Sequence, residues 1–398
     1  MIDAPLEHGS VVIRGAVRIE RTERGILPRR YAEQASRRIV DEFMRASLTQ
    51  SAGVRLAFRT EARRIELRVL ATKLTDSVDG PLPFAHYDLC ADAGVVSSVS
   101  SNSGARRLFS FLEPLSGIVD GDEVVLSFEL DGSNREYELW LPYTDEVELR
   151  GLRADAALHP PTEGPSTRWV HHGSSISHGY LASRTTNTWP VRVAQQVDLD
   201  LTNLAYSGNA LLDQSTARTI RDTPADVISV KLGINVVNGD MMRLRVFRSA
   251  VHGFLDTIRD GHPHTPLLVV SPVCCPPVEA LPGPTVFDAE SETEWVTTAG
   301  TAAELETGKL SLGVIRTELE RIVADRCGED PHLGYLDGSL LYGLGDNARM
   351  PLPDNLHPGD EVNALIAERF AQFAFGEQGW LRPAPEQRQV FNLRTAGE

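Results

Sequence analysis

A change of hydrophobic rhythm near residue 160 constrains this 398-residue chain more than any other feature. Before it, apolar residues recur at every second position, as in Val54, Leu56 and Phe58, then Ile65, Leu67 and Val69. In an extended strand that spacing puts one set of side chains on a core face and their polar neighbours outside. The runs 125–130 and 137–141 flank Asp131-Gly132-Ser133-Asn134, a turn cluster in which Gly132 can take φ > 0, and read as a hairpin. Short strands separated by turns predict a β-sandwich. Beyond residues 159–168, HPPTEGPSTR, which read as a linker, strand-like runs at 168–172, 200–205, 226–232, 266–273 and 333–337 alternate with helix-like segments. That alternation predicts a parallel sheet covered on both faces. One helix is expected from about 240, capped by Asp240, with Phe247, Val251, Phe254, Leu255 and Ile258 as its buried stripe. Another follows Pro358-Gly359-Asp360 and should bury Val362, Leu365, Ile366, Phe370 and Phe373. The expected organisation is a β-sandwich domain over 1–158 and an α/β domain over 165–398, in keeping with a length beyond which one core stops growing.

Composition removes several function classes. A net charge of −16 with no Lys/Arg run argues against nucleic acid as a partner, because such binders neutralise phosphates with clustered cations. The sequence offers no run of about 18 apolar residues, so no membrane span is expected. The stretch MIDAPLEHGSVVIRG lacks the basic-then-apolar pattern of a secretory signal. Four cysteines, at 90, 274, 275 and 327, form neither a C-x-x-C metal pattern nor a spaced disulfide framework, and read as reduced cytoplasmic thiols.

The chemistry lies in four short segments: GSSISHG at 173–179, Gly208 in YSGNA, Gly233 and Asn235 in KLGIN, and Asp354 with His357 in DNLH. Singly, each has an ordinary structural meaning, such as a helix cap or a turn. In this order they supply a serine acyl-transfer site. Ser175 is the candidate nucleophile, His357 the base, and Asp354 the group that fixes the imidazole. The backbone N–H groups of Ser175 and Gly208 and the Asn235 side chain are candidate donors for the oxyanion. Ser175, Gly208 and Asn235 each follow an expected strand, where sites form in open α/β sheets. His171, His172 and His178 invite a metal reading. In a strand the first two point to opposite faces and no carboxylate or thiolate set completes the site, so no metal is expected. His262-Pro263-His264 reads as a solvated turn. The proline-rich segment 274–300 is expected to form a substrate wall, with Phe287 and Trp295 as apolar contacts.

These blocks resemble those of the GDSL, or SGNH, family of serine hydrolases and acyltransferases, whose Ser, Gly, Asn and His correspond to Ser175, Gly208, Asn235 and His357, with Asp354 three residues before the histidine. The doubled serine is resolved by register, because Ile176, Ser177 and Gly179 then match the family's L-[ST]-x-G spacing. Two positions depart from the pattern: Ser174 stands where the signature has Asp, and Val236 where Asp usually follows the block Asn. The resemblance implies an SGNH-hydrolase-like three-layer α/β/α domain, preceded here by a jelly-roll-like β-sandwich. With that leading sandwich the chain is similar to a two-domain subgroup that includes acyltransferases moving an aromatic acyl group from coenzyme A onto polyketides, as in salicylyl transfer to a tetracycline skeleton. This implies an acyl-Ser175 intermediate, acyl-CoA as co-substrate, a hydroxylated small molecule as acceptor and no bound cofactor. The alternatives are an esterase, for example a carbohydrate O-acyl esterase, and a non-catalytic carbohydrate-binding protein.

Overall fold

The computed structural model describes residues 1–6, 9–39, 41–110, 116–162, 164, 167–288 and 295–382, with the backbone of 392–393. Its contacts divide the chain into two compact units, Met1–Ser166 with Arg184–Asn203, and Thr167–Ser183 with Leu204–Glu398.

In the first unit two antiparallel-rich sheets share one core. The five-stranded sheet runs Val12–Arg14, Arg55–Thr60, Arg135–Trp140, Ala85–Ala91, Gly94–Ser101, and the eight-stranded sheet is built around Arg64–Thr75 and Asp145–Ala154. Leu56, Phe58, Leu89 and Leu139 of one sheet and Ile65, Leu67, Val69, Phe128 and Leu149 of the other form a continuous buried cluster. The expected hairpin does not form. Val124–Glu129 pairs with Arg64–Thr75 in one sheet, whereas Arg135–Trp140 pairs with Arg55–Thr60 and Ala85–Ala91 in the other. Gly132 does take φ 79°, but the turn carries the chain across the core instead of folding it back. Leu126, Phe128, Tyr137 and Leu139 are buried in either topology, so alternation alone could not choose between them.

The strand Arg55–Thr60 also departs from expectation, because Arg55 and Ala57, read as facing out, are as buried as Leu56. The Arg55 guanidinium lies 4.7 Å from the Trp140 ring centroid and bonds Glu138 at 2.9 Å and Asp200 at 2.8 Å, so its charge is buried with partners. A second buried pair, Lys73–Asp145 at 2.6 Å, has both side chains 1% exposed. Burial holds the Asp145 carboxyl above its ordinary range, against the pull of Lys73.

In the second unit Thr167–His172, Val227–Lys231, Leu267–Val270 and Leu333–Leu336 pair in parallel in that order. Consecutive buried residues such as Val227–Lys231 reflect cover on both faces. The helix Leu244–Arg259 buries the whole expected stripe, Phe247, Val251, Phe254, Leu255 and Ile258. It starts later than expected, with Arg243 at the N-cap. Asp240 takes φ 49° in the preceding loop and pairs with Arg243 and Lys309. The helix Asp360–Phe375 buries Val362, Ile366, Phe370 and Ala374 at i+4 spacing, which leaves Leu365 and Phe373 half-buried at the edges of the stripe. Phe370 stacks on Trp169 at 5.5 Å, fixing this helix against the first parallel strand. His262 is buried, bonding Ile220 O at 3.0 Å and Thr265 Oγ1 at 3.3 Å, whereas Pro263 and His264 are exposed.

Candidate active site

Immediately after the strand Thr167–His172 the chain turns into the one-turn helix Ser175–His178. Ser174 caps it, its Oγ accepting from Ile176 N at 3.4 Å, while Ser175 Oγ lies 2.9 Å from His357 Nε2. Of the doubled serines, the structure brings Ser175 to the imidazole and gives Ser174 the cap. His357 Nδ1 lies 2.6 Å from Asp354 Oδ2, and Asp354 Oδ1 accepts from the backbone of His357 at 2.6 Å and of Leu356 at 3.0 Å. A neutral imidazole donating from Nδ1 to a carboxylate has its lone pair on Nε2, the atom facing the serine hydroxyl. Burial works against the charge on Asp354, but the His357 side chain and the two backbone donors outweigh it and hold the carboxyl below the ordinary carboxylate range. The site therefore keeps a charged acceptor behind a base that must take up a proton.

Backbone bonds bind the Gly208 segment to both its neighbours. Leu204 N donates to His171 O at 2.7 Å and Tyr206 N to Gly173 O at 3.0 Å, which lays 204–206 beside the nucleophile loop. Ala210 N donates to Asn235 Oδ1 at 2.9 Å. With its oxygen used in this way, Asn235 keeps its Nδ2 hydrogens for an outside acceptor. Gly233 enters that loop at φ 115°, and a Cβ there would lie 2.4 Å from Ile315 Cγ2, so both conformation and space require glycine. Gly208 has φ 69°. Ser175 holds the first position of its helix, where the backbone N–H has no intrahelical acceptor. The donors expected from sequence are thus assembled on loops tied directly to one another. Val236, at one departure from the family pattern, is fully buried and packs as core.

Tyr180 belongs to none of the sequence blocks. Its ring centroid is 4.5 Å from that of His357, and the side chain is 43% exposed. The signal was the glycine before it: Gly179 takes φ 122° and lets Tyr180 N return to Ser175 O at 3.0 Å.

The remaining histidines diverge. His171 Nδ1 lies 2.7 Å from Ser229 Oγ, His172 Nδ1 lies 2.8 Å from Leu204 O, and His178 Nδ1 accepts from Ser207 N at 3.3 Å. Burial pushes the His172 imidazole down to about 4 and holds His171 well below its ordinary value. His171 and His172 are neutral structural groups. Among the described residues no group of three or more His, Cys, Asp or Glu is placed to hold a metal. The segment 274–300 forms a small hairpin, Thr285–Phe287 against Val296–Thr298, with 289–294 outside the described residues. Phe287 and Trp295 stand 66% and 37% exposed, and it is the backbone of Val296 that bonds the triad loop, donating to Asp354 O at 2.9 Å.

Residues 167–275 match the GDSL-like Lipase/Acylhydrolase family, and residues 11–150 match the SsfX3 N-terminal domain. Over residues 167–275 the chain carries the GDSL-like lipase/acylhydrolase sequence pattern. It is accordingly a serine acyltransferase or esterase. The catalytic-domain match ends before Asp354 and His357, whose place at the site comes from the geometry. Among solved structures, the salicylyl-acyltransferase SsfX3 from a tetracycline biosynthetic pathway is similar, with TM-score 0.74 and 24% identity over 92% of this chain and 94% of that one. A family two carbohydrate esterase from Clostridium thermocellum follows at TM-score 0.60 and 11% identity, over 94% and 100% of the two chains. One from Cellvibrio japonicus has TM-score 0.55 and 11% identity over 93% and 95%. These likenesses establish the two-part fold of this GDSL-like chain. Comparison with curated proteins gives no match.

Proposed function

We propose that this GDSL-like enzyme is an acyltransferase that takes an acyl group, aromatic in the preferred case, from a coenzyme A thioester and passes it to a hydroxyl of a small molecule such as a polyketide. The observation that carries the chemistry is the unbroken Ser175–His357–Asp354 relay. Ser175 Oγ attacks the thioester carbonyl as its proton moves to His357 Nε2, and Asp354 stabilises the imidazolium. The tetrahedral oxyanion is held by the N–H groups of Ser175 and Gly208 and by Asn235 Nδ2. Collapse expels the thiolate, which receives the proton from His357 and leaves acyl-Ser175. His357 then deprotonates the acceptor hydroxyl, the second tetrahedral species forms, and release of the new ester restores the serine. The relay supplies every proton transfer, so the reaction calls for no resident cofactor, and the thioester is a substrate.

The choice of transfer over hydrolysis is supported by the match of the leading domain to that of SsfX3, together with whole-chain likeness to that acyltransferase. A coenzyme A thioester donor is an intracellular metabolite, so the proposed reaction is a cytoplasmic one. Phe287 and Trp295, exposed on their hairpin, would form an apolar wall for the substrate. The test is incubation with a panel of acyl-CoA thioesters, with and without hydroxylated acceptors, followed by mass spectrometry. Acylated acceptor supports the proposal. Free acid alone with every acceptor makes the enzyme an esterase.

A further inference from the structure

The loop carrying Asp354 and His357 is held from outside by three bonds that the catalytic relay does not use. Val296 N donates to Asp354 O at 2.9 Å, and Asn355 Nδ2 donates back to Val296 O at 2.9 Å. The two loop residues thus grip one residue of the hairpin strand Val296–Thr298 like an added strand. From the other side Cys275 Sγ donates to Asn355 O at 3.6 Å. Asn355 itself takes φ 68°, a left-handed conformation that costs a non-glycine residue energy and needs surrounding contacts to maintain it. It lies between the carboxylate and the imidazole, so its backbone angles set the spacing of Asp354 and His357.

The geometry points to Asn355 as a positioning residue for the acid–base pair, locking the Asp354–His357 loop to the hairpin that bears Phe287 and Trp295, with the Cys275 thiol as a secondary anchor. The inference rests on the proposed active site. Asn355 acts through the loop that carries the acid and the base. Its side chain converts the hairpin's backbone into the reference against which His357 Nε2 is held 2.9 Å from Ser175 Oγ. The same bonds give the exposed aromatic wall a fixed place relative to the base, so a hairpin displaced by a poorly fitting substrate would carry the base with it.

The substitutions are Asn355→Gly, which keeps the left-handed backbone but deletes the amide, and Asn355→Ala, which loses both. Cys275→Ala and Cys275→Ser form the second pair at a fully buried position. Each protein is titrated with an organophosphonate that labels Ser175, and kcat and KM for an aryl ester are expressed per titrated site, so that unfolded protein does not enter. The expected result for Asn355→Gly is a loss in kcat and in labelling rate of roughly 3- to 10-fold, the scale of one net hydrogen bond, with KM within about twofold. Asn355→Ala should lose more, and Cys275→Ser should recover activity lost in Cys275→Ala. A residue that only stabilises the fold would lower the number of titrated sites and leave kcat per site unchanged, and that result in both Asn355 variants overturns the inference. Absence of labelling at Ser175 in the unaltered enzyme would instead remove the active-site reading on which it depends.

Discussion

Lys231 is the last residue of the strand Val227–Lys231 that leads into Gly233 and Asn235, and its amine is buried, with no hydrogen-bond partner among the described residues. Burial first, then repulsion from Arg316, pushes the ammonium down from 10.5 to about 7, with Cys275 pulling weakly the other way. The unfolded chain binds this proton up to its ordinary pKa while the folded chain has released it by about 7. Stability must therefore rise with pH across that window and fall to its full deficit below it. At about 1.36 kcal/mol per pH unit, the interval between about 7 and 10.5 sets a ceiling of about 5 kcal/mol. Near pH 8 the cost is about 3 kcal/mol and near pH 9.5 about 1 kcal/mol by the same relation. Lys231→Met conserves volume and removes the titration. Urea unfolding of both proteins at these two pH values should show the variant more stable, with its advantage narrowing by about 2 kcal/mol toward the higher pH. A gap independent of pH, or a less stable variant at pH 8, would mean that the amine has a partner and that the reasoning from burial is wrong.

Three further outcomes follow from the geometry. Ser175→Ala should abolish turnover and phosphonate labelling, whereas Ser174→Ala should retain both and lose roughly 0.5–2 kcal/mol of stability as a lost N-cap, measured by denaturant unfolding. Asn235→Ala should lower kcat by roughly 10²–10³ with KM little changed, as steady-state kinetics would report for one oxyanion donor. Asp145→Ala leaves the Lys73 charge buried and unpaired and should destabilise the first unit by about 3–5 kcal/mol; Lys73→Met combined with Asp145→Leu should recover most of that in the same unfolding assay.

Much of the site could be read in the chain because its parts follow local rules. A serine after a buried strand, a glycine forced to positive φ, and an aspartate three residues before a histidine are each defined within a few positions, and Ser175, Gly233, Asp354 and His357 were found that way. Tyr180 and Asn355 are not legible in the chain because their importance comes from contacts with His357 and Val296, at distant sequence positions. The exposed Phe287 and Trp295 stand out in the sequence by their side chains, whereas the hairpin bonds the triad loop through the backbone of Val296, which leaves no mark in residue identity. The helix Leu244–Arg259 starts later than cap preference predicts for a related reason: Asp240 is a good cap by type, but its ion pairs with Arg243 and Lys309 hold it in the loop.

By itself the sequence determined which residues are apolar and at what period, and so the two architectures, the buried stripes of the long helices and the chemical groups available for acyl transfer. Only the tertiary structure decided which strands pair, sending 124–129 and 135–140 to opposite sheets, and what holds the base in place. The physical reason is range. Periodicity and backbone conformation are properties of neighbouring residues, whereas sheet partnership and the 2.9 Å approach of Ser175 to His357 depend on chain segments brought together only when the core closes.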